Sequence, residues 1–373
     1  LISMKSDKTT PNVPTLRFSN KTIWEKKRIK DFCEVNPKTE ELEDEFIYID
    51  LESVSKGCLL SKNIISKTNA PGRAQRVLTN NDILFQCVRP YQMNNLLFNA
   101  ENADFQYVAS TGYAQIRTQE NPSFVYHLLH SPNFNKEVML RCTGSSYPAI
   151  TSSDLGDIEV YICGVGEQQK IGHFLDLIDR RIAVQNKIIS KYETLIKGLC
   201  DMIFRYNKSV SLSDLVKCKT SALQENMVST CHRGEYKVLG ASGAIAAIDT
   251  YQFEESGILV LKDGSKAGKI QFAQGKYSVV GTSVVLIPNE ACDARYLYFA
   301  MSSIDFEKYK VGSGIPHIYF KDYSNERIYY PDKALRKKIT KTLDFYETMV
   351  EIERKMLSAM QKQKAFLLQS MFI

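Results

Sequence analysis

Residues 167–204 read EQQKIGHFLDLIDRRIAVQNKIISKYETLIKGLCDMIF, without a proline and with only two glycines. Apolar side chains step by four and three: Ile171, Leu175, Ile178, Ile182, Ile189, Tyr192, Ile196, Leu199 and Ile203, with Gln185 as the one polar member. That spacing is a heptad seam, the signature of a helix that lays one stripe against a partner helix. Residues 333–373 repeat it with Ile339, Leu343, Tyr346, Val350, Leu357, Met360, Leu367 and Met371, interrupted by Glu353 and Lys364. A 38-residue helix is about 57 Å long and needs a partner stripe along its whole length. Each seam is the other's obvious partner, in antiparallel pairing.

Working outward, the two seams belong to a duplication with an offset of 168. Gly144-Ser145-Ser146-Tyr147-Pro148-Ala149-Ile150 matches Gly312-Ser313-Gly314-Ile315-Pro316-His317-Ile318, and the register runs ungapped through Asp154 and Asp322, Lys170 and Lys338, Asp176 and Asp344, to Phe204 and Phe372. Upstream the register drifts, as loop insertions make it do. Ile83-Leu84-Phe85 matches Ile258-Leu259-Val260, Tyr107 matches Tyr277, Phe124-Val125-Tyr126 matches Tyr296-Leu297-Tyr298, and Lys30-Asp31-Phe32 matches Ser213-Asp214-Leu215. Gln185 and Glu353 fall at equivalent positions, so we expect them to meet near mid-helix and fix the register.

Ahead of each helix, β-branched and aromatic runs are punctuated by Asn, Asp, Gly and Pro. Strands are expected at Phe46–Leu51, Ile83–Val88, Tyr107–Ile116 and Ile158–Ile162, then at Lys237–Leu239, Gly257–Leu261, Ser278–Ile287 and Arg327–Tyr330. A short amphipathic helix is expected at Pro122–Ser131 and again at Ala294–Ser303. The expected fold class is α+β: two similar mixed α/β domains, 12–165 and 209–332, joined by two long helices, 166–208 and 333–373, forming an antiparallel coiled coil. Residues 1–11 read as a disordered or artificial extension without the apolar core of a signal peptide.

Composition excludes several classes. The chain has 373 residues, 44% hydrophobic and 24% charged, with a formal charge of +6, and no apolar run approaches a membrane span. The surplus of cations sits on residues 166–208, with 8 Lys and Arg against 5 Asp and Glu, and 333–373, with 9 against 4. Bulk charge alone is therefore weak evidence for nucleic acid. Nine scattered cysteines without a Cys-x-x-Cys pair point to reduced thiols in a cytoplasmic protein. The histidines His127, His130, His173, His232 and His317 show no ligand spacing. Gly264-Ser265-Lys266-Ala267-Gly268-Lys269-Ile270 is one residue short of a phosphate-binding loop and has Ile where the Ser or Thr belongs, so it reads as a turn. No catalytic or metal constellation emerges.

The stretches YPAITSSDLGDIEV (147–160) and EQQKIGHFLDLIDRRI (167–182), with Val13-Pro14, Leu16-Arg17-Phe18 and Trp24-Glu25, resemble specificity subunits of Type I restriction-modification systems. The second copy departs at its helix start, Leu335 to Ile339, and has Tyr323 after Asp322. The resemblance implies two target-recognition domains, each reading one half of a bipartite, asymmetric sequence in double-stranded DNA, and paired helices that set the spacer. It implies docking of two DNA adenine methyltransferase subunits and, for cleavage, two restriction subunits. S-adenosylmethionine, ATP and magnesium would sit on those partners, leaving this chain non-catalytic and without a cofactor. A fused methyltransferase or nuclease would need motifs that are missing, and a protein-only scaffold would not need two loop-rich heads.

Candidate DNA-contacting residues are Arg73, Arg76, Arg89, Tyr91, Gln92, Ser145 and Ser146 in the first copy. In the second they are Arg233, Ser242, Lys262, Ser265, Lys266, Lys269 and Ser313, with Asp263 in the same loop. Arg suits guanine and Gln suits adenine through paired hydrogen bonds, while Lys and the Gly-Ser turns suit phosphate. Glu167, Gln168, Gln169, Lys170, Arg180 and Arg181 are candidates for partner contact.

Overall fold

In a computed structural model the described residues are 13–19, 21–100, 104–206, 209–228, 233–289, 292–312 and 314–373; the extension 1–11 lies outside them. Both seams form helices, Val165–Phe204 and Lys333–Met371, of 40 and 39 residues. The Gly164 carbonyl accepts from Glu167 N and Gln168 N as the first helix starts. Asp332 caps the second, its Oδ1 accepting Leu335 N–H at 3.0 Å. All ten seam positions of each helix are buried or half-buried, Gln185 and Glu353 included.

Contacts divide the chain into two compact units, one of residues 1–186 with 356–373 and one of 187–355. In the first, strands Cys33–Val35, Tyr113–Thr118, Ile83–Gln86 and Leu96–Leu97 form one sheet, and Asn63–Ser66, Glu45–Ile49, Gln106–Ser110 and Ala74–Val77 another. Trp24–Arg28 pairs with Glu159–Cys163 as a separate ribbon. The helix Pro122–Leu128 starts with Asn121 capping Phe124 N and Pro122 in its first turn, a position where proline's missing N–H costs nothing. Its apolar face joins a core of Trp24, Ile29, Phe85, Ile116 and Leu155, closed by Ile171 and Leu175 of the first long helix and by Leu367, Met371 and Phe372 of the second. Phe124 and Phe372 meet at 5.4 Å between ring centroids, and Lys364 Nζ lies 2.6 Å from Asp179 Oδ1. The beginning of one helix thus packs on the end of the other.

The second unit follows the same plan. Strands Val216–Thr220, Ser283–Pro288, Gly257–Leu261 and Ile270–Ala273 form one sheet, Gly243–Ile248, Tyr236–Gly240 and Tyr277–Val279 another, and Val210–Ser211 pairs with Arg327–Ile328. Asp293 caps the helix Ala294–Met301. Its Tyr296, Leu297 and Phe299 share a core with Ile258, Leu286 and Tyr323, closed by Cys200 and Phe204 and by Ile339 and Leu343. Arg354 reaches Glu193 at 2.5 Å, so here the end of the first helix packs on the beginning of the second. In each unit the helix segments are antiparallel.

The duplication holds for the central strands, although the second sheet has four strands in the first unit and three in the second. Phe46–Ile49 runs parallel to Gln106–Ala109, as Lys237–Leu239 runs parallel to Tyr277–Val279. Ile29–Phe32 and Leu212–Leu215 are matching short helices, each feeding an edge strand. Two expected strands are broken in the same place. Tyr107–Ile116 turns at Thr111-Gly112 between strands of two different sheets, and Ser278–Ile287 breaks at Val280-Gly281-Thr282, where the chain likewise changes sheet. The helix Pro132–Arg141, capped by Ser131, adds to the first unit an element the sequence reading left out.

Candidate nucleic-acid interface

Residues 143–149 form a tight loop docked on the end of a central strand, and in the second unit Val311 and His317 pair at the equivalent place. Thr143 and Ala149 exchange both backbone hydrogen bonds at 2.9 Å. Gly144 has φ +89°, and a side chain there would stand 3.0 Å from the Tyr147 carbonyl; only glycine takes that conformation without strain. Docking is by backbone: Arg89 N–H donates to Pro148 O at 2.8 Å, Ile150 N–H to Cys87 O at 3.1 Å, and Cys87 N–H to Gly112 O at 3.0 Å.

In the second unit Val311 and His317 exchange bonds at 2.9 and 2.8 Å, Gly264 N–H donates to Pro316 O at 3.0 Å, and Ile318 N–H to Lys262 O at 2.9 Å. Lys262 N–H donates to Thr282 O at 2.9 Å, completing the match. Arg89 and Gly264 thus hold one position, both with positive φ, 54° and 93°.

On this shared scaffold the side chains differ. The first platform gathers Arg89, Tyr91, Gln92, Ser145 and Ser146, five of the residues expected to contact DNA. The Arg89 guanidinium lies 4.5 Å from the centroid of the Tyr147 ring, which is itself 62% exposed. Tyr91 is also exposed. Gln92 Oε1 accepts from Gln86 Nε2 at 2.8 Å, which points its amide along the loop. The second platform gathers Lys262, Ser265, Lys266 and Lys269 on the hairpin turn between Gly257–Leu261 and Ile270–Ala273, which confirms that the glycine-rich stretch is a turn. Ser242 occupies the turn after Tyr236–Gly240, whose neighbouring strand runs on through Val280 to the Thr282 carbonyl that holds Lys262.

Three candidates are placed elsewhere or serve the scaffold. Arg76 Nε donates to Tyr113 O at 3.1 Å, and burial lowers the pKa of this half-buried side chain; it props a strand. Arg73 is exposed, beside the Thr111-Gly112 turn that its carbonyl accepts from, at the flank of the first platform. Arg233 precedes Tyr236–Gly240, at the far end of that strand from Ser242. Ser313 lies outside the described residues.

Beside the first platform, burial pushes the Cys87 thiol up to about 11 and also raises Cys142. Among the described residues no group of His, Cys, Asp and Glu is placed to hold a metal ion. Half-buried to exposed guanidinium, ammonium, amide and hydroxyl groups on a backbone-held loop pair are suited to phosphates and base edges.

A sequence profile of the Type I restriction modification DNA specificity domain matches this chain twice, over residues 22–194 and 206–361. The chain belongs to that family. Its two specificity domains are the two units' heads with adjoining helix. The chain is 28% identical over 122 residues to the MjaVIII specificity subunit of Methanocaldococcus jannaschii, covering 32% of the chain and 28% of that protein. It is 25% identical over 186 residues to the HindI specificity subunit of Haemophilus influenzae, covering 48% of the chain and 39% of that protein. The matched stretches thus span about a third of those relatives. Two solved structures share the fold. The S subunit of a Type I system from M. genitalium matches at TM-score 0.63 and 16% identity, over 97% of this chain and 99% of that one. A chain from a study of type I R-M complex assembly matches at 0.54 and 18%, over 92% and 96%.

Sequence reasoning missed two features of the interface and misassigned one beside it. Asp263 and His317 pair across the second platform at 2.8 Å, although 54 residues apart; only the 168 offset, which sets His317 against Ala149, hinted at it. The Tyr147 support for Arg89 went unnoticed. Glu167 and Gln168, candidates for partner contact, are buried instead. Glu167 Oε1 accepts from Phe18 N and Ser19 N at 2.6 and 3.2 Å. Gln168 bridges Asn121 N, Glu120 Oε2 and Cys163 O. They lock the helix start to the head; Gln169, Lys170, Arg180 and Arg181 remain exposed.

Proposed function

We propose that this chain is the non-catalytic, sequence-reading subunit of a Type I restriction-modification complex, each platform contacting one half of a bipartite, asymmetric target in double-stranded DNA. The observation that carries this is the pair of matching platforms: one backbone scaffold built twice, furnished with different side chains. Equal scaffolds favour the same mode of docking, and unequal side chains favour two different half-sequences. Half-site centres about one helical turn, ~10 bp, apart suit recognition from one face of the duplex. The helices set that separation, with Gln185 and Glu353 fixing their register.

The partners are two adenine methyltransferase subunits and, where cleavage occurs, two restriction subunits. S-adenosylmethionine, ATP and magnesium belong to those partners, in the cytoplasm; no described helix is long and apolar enough to cross a membrane. A duplicated feature supports methyltransferase docking on the helices. Leu177 and Val184 stand exposed on the first, and Phe345 and Ile352, at the same offset of 168, stand exposed on the second. Exposed apolar residues repeated at equivalent positions suit two copies of one partner.

The test is to express the chain with its methyltransferase in a host lacking adenine methylation and sequence the methylated DNA. One two-part, adenine-containing motif is expected. Random methylation, or methyl transfer by the purified chain alone, would overturn the reading.

A further inference from the structure

One difference between the platforms is chemically loaded. Where the first has Val88 bridged to Ala149, the second has Asp263 bridged to His317. His317 Nδ1–H donates to Asp263 Oδ1 at 2.8 Å, and the other oxygen of Asp263 lies 3.9 Å from Lys262 Nζ. The first platform closes with valine and alanine, so the pair is not needed to close the second. Nor does it add much stability, since an ion pair this exposed contributes little.

What the pair does is fix a ring. With Nδ1 committed to the carboxylate, Nε2 is the ring atom left for a ligand, and among the described residues it has no partner. The His317 side chain is 39% exposed. It stands in a loop whose backbone is held from both sides, next to a turn carrying Lys262, Lys266 and Lys269. A rigid, outward nitrogen beside cations that suit phosphate is the arrangement expected of a group that reads a base edge. In the neutral ring Nε2 accepts, matching an exocyclic amino group of adenine or cytosine.

We propose that His317, positioned by Asp263, is a specificity-determining side chain of the second half-site, reading one base pair through Nε2. This rests on the DNA-specificity reading above. In that scheme its counterpart on the first platform is Arg89, positioned by Tyr147.

The test uses the full chain with its methyltransferase subunits. Once the wild-type motif is known, competition binding is measured on duplexes carrying that motif and every single base-pair change in each half. H317A should flatten discrimination at one position of the second half, by roughly 10-fold or more, the worth of a good base contact, and leave the first half unchanged. D263A should weaken discrimination at the same position. D263N, which keeps an acceptor for Nδ1–H, should retain most of it. A merely structural pair would instead lower affinity for all duplexes equally, and that result, or unchanged discrimination in H317A, would overturn the proposal. A wild-type complex without a two-part motif would sink the functional reading first, before any variant is made.

Discussion

The helix acid Asp176 and its duplicate Asp344 do the same job with different partners. In the first unit Asp176 meets His127 of the head helix at 2.9 Å, and that imidazole is fully buried. In the second unit Asp344 meets Arg295 at 2.5 Å, and Arg295 also pairs with Glu347. The Arg295 guanidinium stacks 4.8–5.1 Å from the rings of Phe272, Tyr298 and Phe299. The helices supply a constant acid, and each head supplies its own partner for it. The platforms obey the same rule, with constant backbone and variable side chains. In both places the duplication keeps what positions and varies what touches.

The first way to break this comparison is to cut equivalent seam residues. Leu175 and Leu343 are both fully buried, so Leu175→Ala and Leu343→Ala should each cost about 2–5 kcal/mol. Denaturant unfolding should give similar losses; a loss confined to one variant would mean that the units are not structural equivalents.

The latches should be unequal. Arg295→Ala leaves two partly exposed carboxylates without their shared partner, which should cost about 2–4 kcal/mol after discounting for solvent. Hydrogen exchange should show the loosening in the Ala294–Met301 helix and not in Pro122–Leu128. Equal loosening of both helices would count against separate latches.

Acid sharpens the contrast. Burial depresses His130 to about 4 despite the Tyr126 carbonyl it donates to, and nearby Lys364 adds to the effect. The unfolded imidazole titrates near 6.5, so it takes up a proton between about pH 6.5 and 4 while the folded one stays neutral. Stability present above pH 6.5 is lost as pH falls through that window, by up to ~3 kcal/mol. Burial alone would raise Asp176, yet hydrogen bonds from His127 and Ser123 leave it lowered, so its contribution is lost only below about pH 4. The second unit has Ser302 at the matching place. Hydrogen exchange at pH 7 and pH 5 should therefore show acid loosening of the first unit only, abolished by His130→Ser. Equal acid sensitivity in both units would refute the assignment.

The smallest expected effect lies at mid-helix. Changing Gln185 and Glu353 together to Leu should alter stability by about 1 kcal/mol and loosen the choice of register. A methylated motif whose spacer stays as uniform as in wild type would count against the register role.

The helices and the duplication were legible because they are written in periodicity and offset, both properties of the sequence alone. The strand breaks at Gly112 and Gly281 were signalled by glycine but masked by long β-rich runs. Half of each platform was legible too, since polar loop residues such as Arg89 and Lys262 announce themselves. What could not be read was convergence. Asp263 meets His317, and Arg89 meets Tyr147, only because backbone bonds dock one loop on another. Arg76 and Glu167 look free in a sequence and are consumed by the scaffold, since burial is set by the fold around them.

The most direct test of two interchangeable readers on one frame is to replace residues 209–332 with a second copy of residues 12–165 and sequence the adenine methylation it directs with its methyltransferase. The account predicts a motif in which the first half-sequence appears twice and the second has vanished. Retention of the original second half-sequence in that motif would contradict it.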